Sequence, residues 1–177
     1  MPAIVNAANC TVTASPGGVF TVAKTSGDPA AADASAVSDQ GMSGDFVLRA
    51  RALSNFFGYF GVSANPLAGN GSSTIDRAVQ INGTSGRCYE SGFFRPPIFS
   101  PGTGFVWMRR AGGTLDWLYG PELGGATVVR SVAGVAGTLW FDSSILQPDV
   151  GLEVKFGAPA EFAVRQKRRR LMLAIGY

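Results

Sequence analysis

Two alternating runs decide the fold of this chain: Phe105-Val-Trp-Met-Arg-Arg110 and, across Ala111-Gly112-Gly113, Thr114-Leu-Asp-Trp-Leu-Tyr119. In the second run Leu115, Trp117 and Tyr119 fall on one face and the residues between them on the other, which is the period-two pattern of a half-buried strand. A three-residue link that contains glycine is a common hairpin connection. The stretch therefore predicts two antiparallel strands joined by a tight turn.

The same pattern recurs on both sides of this hairpin in short segments bounded by glycine, asparagine or proline. The further predicted strands are Cys10–Thr13, Val19–Ala23, Phe46–Leu53, Phe56–Val62, Ile75–Ile81, Arg87–Glu90, Thr127–Val132, Thr138–Asp142, Leu152–Phe156, Glu161–Arg165 and Arg169–Ile175. Residues 25–43 hold few large apolar side chains, so we expect a long surface loop there. About a dozen short antiparallel strands predict an all-β fold, an antiparallel β-sandwich or jelly roll.

The composition fits one domain built from many short elements. The chain has 177 residues, with 24 glycines, 10 prolines and only 15% charged residues. We expect residues 1–177 to form a single β-sandwich domain, with 160–177 as a basic and apolar C-terminal strand segment. No apolar run reaches the roughly 18 residues of a membrane-spanning helix, so membrane insertion is not expected. The first residues do not resemble a secretory signal, which predicts synthesis in the cytoplasm without export by that route.

Five segments follow one another in the order typical of one group of sandwiches. They are Gly44-Asp-Phe-Val-Leu-Arg-Ala50, Tyr59-Phe-Gly-Val-Ser63, Asp76-Arg-Ala-Val-Gln80, Val106–Trp117, and Phe141-Asp142 followed by Gly151-Leu-Glu-Val-Lys-Phe156. Over about residues 10–157 the chain thereby resembles the concanavalin A-like lectin and glucanase sandwich, which includes SPRY and laminin-G-type domains. Modules that look like this occur in carbohydrate-binding proteins and in bacteriophage tail fibres, spikes and other virion components.

The common catalytic constellations are missing from the sequence. The chain contains no histidine, which excludes a Ser-His-Asp triad, a Cys-His pair and a histidine-ligated metal. A glycosidase needs only two carboxylates, but the candidate acids are isolated from one another; they are Glu90, Asp116, Glu122, Asp142 and Glu153. No phosphate-binding glycine loop is present, and the loop from Asp28 to Asp39 lacks calcium-loop spacing. We expect no enzyme activity, no cofactor and no metal, and we expect Cys10 and Cys88 to be buried thiols.

Aromatic side chains are the strongest ligand-binding candidates, because sugar rings stack their apolar faces on tryptophan and tyrosine. Trp107, Trp117 and Trp140 lie inside predicted strands, where a tryptophan is more often part of the core. The predicted ligand contacts are Asn65, Asn70, Arg95, Trp107, Tyr119 and Trp140. Phe93-Phe-Arg-Pro-Pro-Ile-Phe99 is either an exposed apolar patch or a packed loop, because its two prolines exclude an inner strand.

The C-terminal segment carries most of the positive charge. Five of the fifteen basic residues lie between Arg165 and Arg170, while residues 1–164 hold ten basic and twelve acidic residues, a net charge of −2. The segment could pair with another subunit, close the sandwich as an ordinary strand, or bind nucleic acid. Assembly is favoured because its alternating apolar residues need burial, and nucleic acid is disfavoured because no aromatic residue lies among the cations. The predicted assembly residues are Arg165, Arg168, Arg169, Arg170, Leu171, Leu173 and Ile175.

These observations lead to one favoured hypothesis and two alternatives. We expect a non-enzymatic structural or receptor-binding component of a phage-like particle, such as a spike, fibre tip, tail or head decoration subunit, located in the virion. Its expected partners are other virion subunits, further copies of itself, with a trimer favoured, and a host-surface glycan. The first alternative is a soluble carbohydrate-binding module, and the more remote one is a glycoside hydrolase.

Overall fold

The computed structural model describes residues 1–28, 31–53, 56–66, 75–101, 104–148 and 151–162. Within these residues fourteen strands form two seven-stranded antiparallel sheets. The strands are β1 (Ile4–Ala8), β2 (Cys10–Ser15), β3 (Val19–Lys24), β4 (Ser35–Ser38), β5 (Phe46–Ala52), β6 (Phe57–Ser63), β7 (Arg77–Asn82), β8 (Ser85–Glu90), β9 (Phe93–Phe99), β10 (Phe105–Ala111), β11 (Thr114–Gly120), β12 (Thr127–Val132), β13 (Trp140–Ile145) and β14 (Gly151–Gly157). The predicted antiparallel sandwich is confirmed.

The two sheets pack face to face around one core. Sheet A has the strand order β1-β4-β13-β6-β7-β8-β9, and sheet B has the order β12-β11-β10-β5-β14-β3-β2. Phe60 and Phe141 of sheet A and Leu48, Met108 and Trp117 of sheet B are fully or almost fully buried in this core. The face of each sheet that points away from the core is called its outer face below.

The hairpin predicted from residues 105–119 is β10 and β11. Met108 pairs with Trp117, whose side chain is fully buried in the core. Arg109 pairs with Asp116 on the outer face, and their side chains form a 2.6 Å ion pair. Gly112 and Gly113 form the turn with φ of 56° and 79°, a left-handed conformation that favours glycine. Alternation and turn chemistry therefore specify this hairpin locally.

The prediction of a long surface loop over residues 25–43 is wrong, because β4 lies within it. All four β4 residues are buried between β1 and β13. Serine hydroxyls join β4 to β13: the Ser143 hydroxyl donates to Ala36 O at 3.0 Å, and the Ser38 hydroxyl accepts from Phe141 N at 3.0 Å. Small residues buried on both faces leave no alternation to detect. The N-terminal strand β1 was also missed.

Two further segments differ from their predictions, and part of the second lies outside the described residues. Phe93–Phe99 forms the edge strand β9, and its prolines are joined by a cis peptide bond. The strand predicted to begin at Glu161 does not begin there, because residues 159–161 form a 3-10 turn. The remainder of that predicted strand and the whole of Arg169–Ile175 lie outside the described residues.

Two buried cations hold loops to the sandwich. The Lys24 ammonium is fully buried and donates to the carbonyls of Asp28, Ala31 and Leu146 and to the Asp33 carboxylate. The Arg110 guanidinium donates to the carbonyls of Met42, Gly44 and Gly137, and desolvation by burial lowers its pKa. Each cation satisfies several loop carbonyls at once, so both have structural roles.

The two cysteines are buried free thiols in different sheets. Burial raises the pKa of Cys10 to about 11 and that of Cys88 to about 12. Both thiols are therefore protonated at neutral pH and unreactive, as expected for small core side chains. In the part of the chain that the structure describes, no helix has the length and apolarity needed to cross a membrane.

Candidate functional site

The outer face of sheet A carries a row of aromatic and polar side chains near the β9 edge. We call the set Tyr59, Gln80, Arg87, Tyr89 and Phe94 the aromatic face. Strand alternation produces it, because each of the first four residues has a neighbour in the sequence that points into the core; these neighbours are Phe60, Val79 and Cys88. The polar and aromatic positions of β6, β7 and β8 consequently all point away from the core.

Strand register brings these residues together from four strands. Tyr59 pairs with Gln80, and Gln80 pairs with Arg87 on the next strand. Tyr89 pairs with Phe94 on the edge strand, after a bulge in the β8–β9 pairing. Directly paired residues in antiparallel strands point to the same face, with Cβ atoms about 5 Å apart. The five side chains therefore form one continuous surface.

Hydrogen bonds and ring contacts fix the orientation of the aromatic face. Gln80 Nε2 donates to Tyr59 Oη at 2.7 Å, and Tyr89 Oη donates to Gln80 Oε1 at 3.3 Å. The Tyr59 and Tyr89 rings meet edge to face with centroids 5.3 Å apart, and those of Tyr89 and Phe94 do so at 6.1 Å. Gln80 is buried beneath the rings, whereas Phe94 is 42% exposed. The result is a preorganised surface that is open toward β9.

Arg87 is the cation of this surface. Its guanidinium carbon lies 5.9 Å from the centroid of the Phe94 ring. Its Nε is buried and has no hydrogen-bond partner among the described residues. No ion pair of Arg87 occurs there either, whereas the neighbouring Arg95 pairs with Glu90. The guanidinium thus retains donors for a group from outside the described chain.

A buried carboxyl group lies on the same side of sheet A, three strands away from Arg87. Asp142 in β13 pairs with Gly61, and Gly61 pairs with Ala78. Asp142 is only 2% exposed, and its Oδ2 has no hydrogen-bond partner within the described part of the chain. Burial raises its pKa to about 7, and repulsion from Asp76 adds to the rise, while a hydrogen bond from Ser63 opposes it. This carboxyl group therefore titrates near neutral pH.

Two of the residues predicted to bind a ligand lie near the end of β6, outside the aromatic face. Trp140 pairs with Ser63 and is half-buried, and a Cβ at Gly41 would lie 2.7 Å from the Trp140 ring. Asn65 is exposed in the turn that follows β6. Asn70 and all of the predicted assembly residues lie outside the described residues.

Trp107, Tyr119 and Arg95 lie elsewhere in the molecule. Trp107 is 5% exposed on the outer face of sheet B, where it packs with Val47 and Leu118 and donates to Gly120 O at 3.0 Å. Tyr119 points toward the core and stacks on Phe99 with centroids 5.6 Å apart. Trp107 is buried and one face of the Tyr119 ring is covered by Phe99, so we leave both out of the candidate site. Arg95 lies on β9 but faces away from the aromatic face, beside Glu90.

The β9 edge does expose an apolar patch. Phe93 is 66% exposed, and Phe94 and Ile98 are also exposed. The prolines of β9 lack the N–H groups that a further strand would need, so this edge is blocked against strand addition at those positions. The exposed aromatic and aliphatic side chains are therefore the main groups that this edge offers for contact.

Sequence reasoning missed four residues of the aromatic face: Tyr59, Gln80, Arg87 and Tyr89. All four lie in predicted strands, and their alternation with apolar neighbours was a usable signal for an outward orientation. The pairing of β6, β7 and β8 brings them side by side, and single strands do not reveal that register. No group of three or more residues suited to hold a metal ion occurs among the described residues.

Comparison with solved structures identifies the fold. The human HERC1 SPRY domain is similar with a TM-score of 0.57 and 16% identity, over 85% of this chain and 95% of that one. The TRIM65 PSpry domain has a TM-score of 0.54 and 13% identity, over 84% and 90% of the two chains. The VIP36 exoplasmic/lumenal domain, determined with Ca2+ and Man3GlcNAc bound, has a TM-score of 0.57 and 10% identity, over 87% and 83%.

These are concanavalin A-like sandwich folds, and identities this low show the fold alone. No protein-family model matches the sequence, and no curated protein matches it either. The chain is therefore assigned to this sandwich fold, as the order of its strand segments predicted.

Proposed function

We propose that this protein is a non-enzymatic carbohydrate-binding β-sandwich whose saccharide ligand lies on the aromatic face. The observation that carries the proposal is the row formed by Tyr59, Tyr89 and Phe94, with Gln80 hydrogen-bonded between the two tyrosines. Aromatic rings of fixed orientation stack on the apolar faces of sugars, and an adjacent guanidinium, here that of Arg87, bonds the hydroxyls, while the buried Gln80 amide holds the two tyrosine side chains in place. The surface needs no rearrangement to offer both kinds of contact.

The positions of the acidic residues support a binding role over glycoside hydrolysis. Glu90 is paired with Arg130 and Arg95, and Asp116 is paired with Arg109 on sheet B. Glu153 bridges two arginines on sheet B. A glycosidase needs two carboxyl groups facing one another across the sugar, roughly 5 to 9.5 Å apart. Of the five acids considered from the sequence, only Asp142 lies on the same side of sheet A as the aromatic face. A sixth acid, Asp76, acts electrostatically on Asp142, but its carboxylate accepts a hydrogen bond from Ala64 N at 2.7 Å.

We propose that this protein is a subunit of a phage-like particle, such as a receptor-binding spike, a fibre tip or a decoration subunit. Support comes from where the described chain ends. The Phe162 ring lies 6.3 Å from the Trp107 ring, on the outer face of sheet B. The described part of the chain therefore ends on the side of the sandwich opposite the aromatic face. Attachment to neighbouring subunits through residues 163–177 would leave the aromatic face directed outward.

Two adjacent phenylalanines provide a matched test of saccharide binding. Phe94→Ala removes the exposed ring of the aromatic face, whereas Phe93→Ala removes a ring exposed on the opposite side of the same strand. Once a glycan array has identified a bound saccharide, titration calorimetry should show roughly 3- to 10-fold weaker binding for Phe94→Ala, because one aromatic contact contributes about 1 kcal/mol. Phe93→Ala should bind like the wild type. Absence of any bound saccharide, or equal losses in both variants, would contradict the proposal.

A further inference from the structure

We infer that the ligand of the aromatic face is an anionic saccharide whose carboxylate or sulfate group is bound by Arg87. This inference rests on the proposed function and specifies the class of sugar. Arg87 lies between Gln80 and Ile98 in the strand order, and its guanidinium is 5.9 Å from the Phe94 ring. A sugar stacked against Phe94 and Tyr89 would have its ring substituents within reach of that guanidinium.

The charge of Arg87 is not neutralised by a described neighbour. Glu90 is the nearest acid along β8, but alternation does not carry it to the aromatic face, because it shares a face with the core residue Cys88. Glu90 is also paired with Arg130 at 2.5 Å and with Arg95 at 3.4 Å. Partial burial opposes ionisation of Glu90, but these contacts lower its pKa overall. The carboxylate therefore stays charged and remains paired with Arg130 and Arg95.

Asp142 does not neutralise Arg87 either. Three strand spacings separate β13 from β8, which corresponds to about 14 Å. That separation exceeds the screening length of about 8 Å at physiological ionic strength. Burial also keeps much of Asp142 protonated near neutral pH, since its pKa is raised to about 7. The β8 side of the aromatic face is therefore positive.

The geometry of Arg87 suits an anion more than a neutral sugar. Guanidinium groups donate two parallel hydrogen bonds to carboxylate or sulfate oxygens, and such charge-assisted bonds are about twice as strong as neutral ones. The Nε of Arg87 is buried, so an external anion would be bound by the two terminal Nη groups of the guanidinium. The guanidinium also lies within cation–π distance of the Phe94 ring, 5.9 Å from its centroid.

The test uses the full chain and three saccharide probes: oligogalacturonate for carboxylate, heparin-derived oligosaccharide for sulfate, and maltoheptaose as a neutral control. Calorimetry should show binding of at least one acidic probe, with weaker binding as salt increases. Arg87→Gln should weaken that binding roughly 10- to 100-fold, since a charge-assisted bond is lost. Arg87→Lys should bind the acidic probe with an affinity between those of the wild type and Arg87→Gln. Arg95→Gln removes the same charge from the neighbouring strand on the opposite face, and it should change binding less than about twofold.

The outcomes separate this inference from the proposed function. Preference for the carboxylate or the sulfate probe identifies the anion, and either supports the inference. Binding of maltoheptaose that depends on Phe94 but not on Arg87 would overturn the inference and leave the proposed function standing. Equal losses in Arg87→Gln and Arg95→Gln would show nonspecific attraction and also overturn it. If no saccharide binds the wild type at all, the proposed function itself fails. Unchanged thermal unfolding of each variant ensures that the comparison concerns binding.

Discussion

At the scale of single residues, Asp142 is the side chain whose environment departs most from what its type prefers. A carboxyl group that is 2% exposed and has an oxygen without a hydrogen-bond partner among the described residues is destabilising when ionised. Burial therefore raises the pKa of Asp142 from 3.8 to about 7. Strongly raised values of this kind occur at functional sites more often than elsewhere. Here the group lies on the same side of sheet A as the proposed ligand surface.

The raised pKa of Asp142 predicts a specific pH dependence of stability. Between about pH 4 and pH 7 the folded protein keeps this proton while the unfolded chain loses it, so the free energy of unfolding should fall as the pH rises through that window. The full effect is up to about 4 kcal/mol for a shift of about three pH units. Asp142→Asn cannot ionise, so it should remove this slope and exceed the wild type in stability at pH 8. Urea unfolding at pH 4.5, 6 and 8 measures both effects.

The control for this prediction is Asp39→Asn. Asp39 is exposed at the end of β4, where its carboxylate accepts a hydrogen bond from Ala3 N at 2.8 Å. This variant should retain the wild-type slope between pH 4.5 and pH 8. A slope that persists unchanged in Asp142→Asn would mean that another group titrates in this window.

At the scale of elements, local alternation predicted the strands that carry large apolar side chains on one face only. The β10–β11 hairpin is the clearest example, because Trp117 is buried and Asp116 is paired on the opposite face. β4 was missed because small residues buried on both faces show no period of two. The aromatic face was missed for a different reason. Its strands were predicted, but their register depends on long-range pairing, so Tyr59, Gln80 and Tyr89 could not be brought together from the sequence.

The close pairing of β6 with β7 depends on the absence of a side chain at Gly61. A Cβ added at Gly61 would lie 2.0 Å from Arg77 O and 2.7 Å from the Ala78 Cα, both backbone atoms of β7. Gly61→Ala should therefore force the strands apart and lower the free energy of unfolding by roughly 2–3 kcal/mol. Saccharide binding should weaken as well, because Tyr59 and Gln80 lie on these two strands. Chemical denaturation and calorimetry measure the two effects.

Gly44→Ala is the matched control for Gly61→Ala. A Cβ at Gly44 meets no atom within 4 Å, so the same substitution should change stability by less than about 1 kcal/mol. If the two variants proved equally stable, the close approach of β6 to β7 at Gly61 would not be a constraint on the sheet.

At the scale of the whole molecule, the two outer faces have different chemistry. The outer face of sheet A carries the aromatic face. The outer face of sheet B carries paired charges, such as Glu153 between Arg49 and Arg51, and a second apolar cluster around Trp107. Phe162, the last residue that the structure describes, belongs to that cluster. This division predicts that ligand binding and assembly are separable.

Light scattering at matched concentrations tests that separation. We expect the full chain to form a defined oligomer, with a trimer favoured, and a chain truncated after Phe162 to be a folded monomer, because Leu171, Leu173 and Ile175 need an apolar partner. Truncation after Phe162 keeps the ring that covers Trp107, so the sandwich should remain intact. The monomer should bind a monovalent saccharide as tightly as the full chain does, but it should lose avidity for a polymeric ligand.

A second variant separates charge from apolar pairing in the C-terminal segment. Replacing the five cations between Arg165 and Arg170 by glutamine leaves the apolar residues in place. If assembly depends on strand pairing, this variant should remain oligomeric at both low and high salt, whereas the truncated chain should not. A monomeric full chain would contradict assembly through this segment. It would leave a soluble carbohydrate-binding module, since the aromatic face consists entirely of residues from β6 to β9 and requires no partner to be complete.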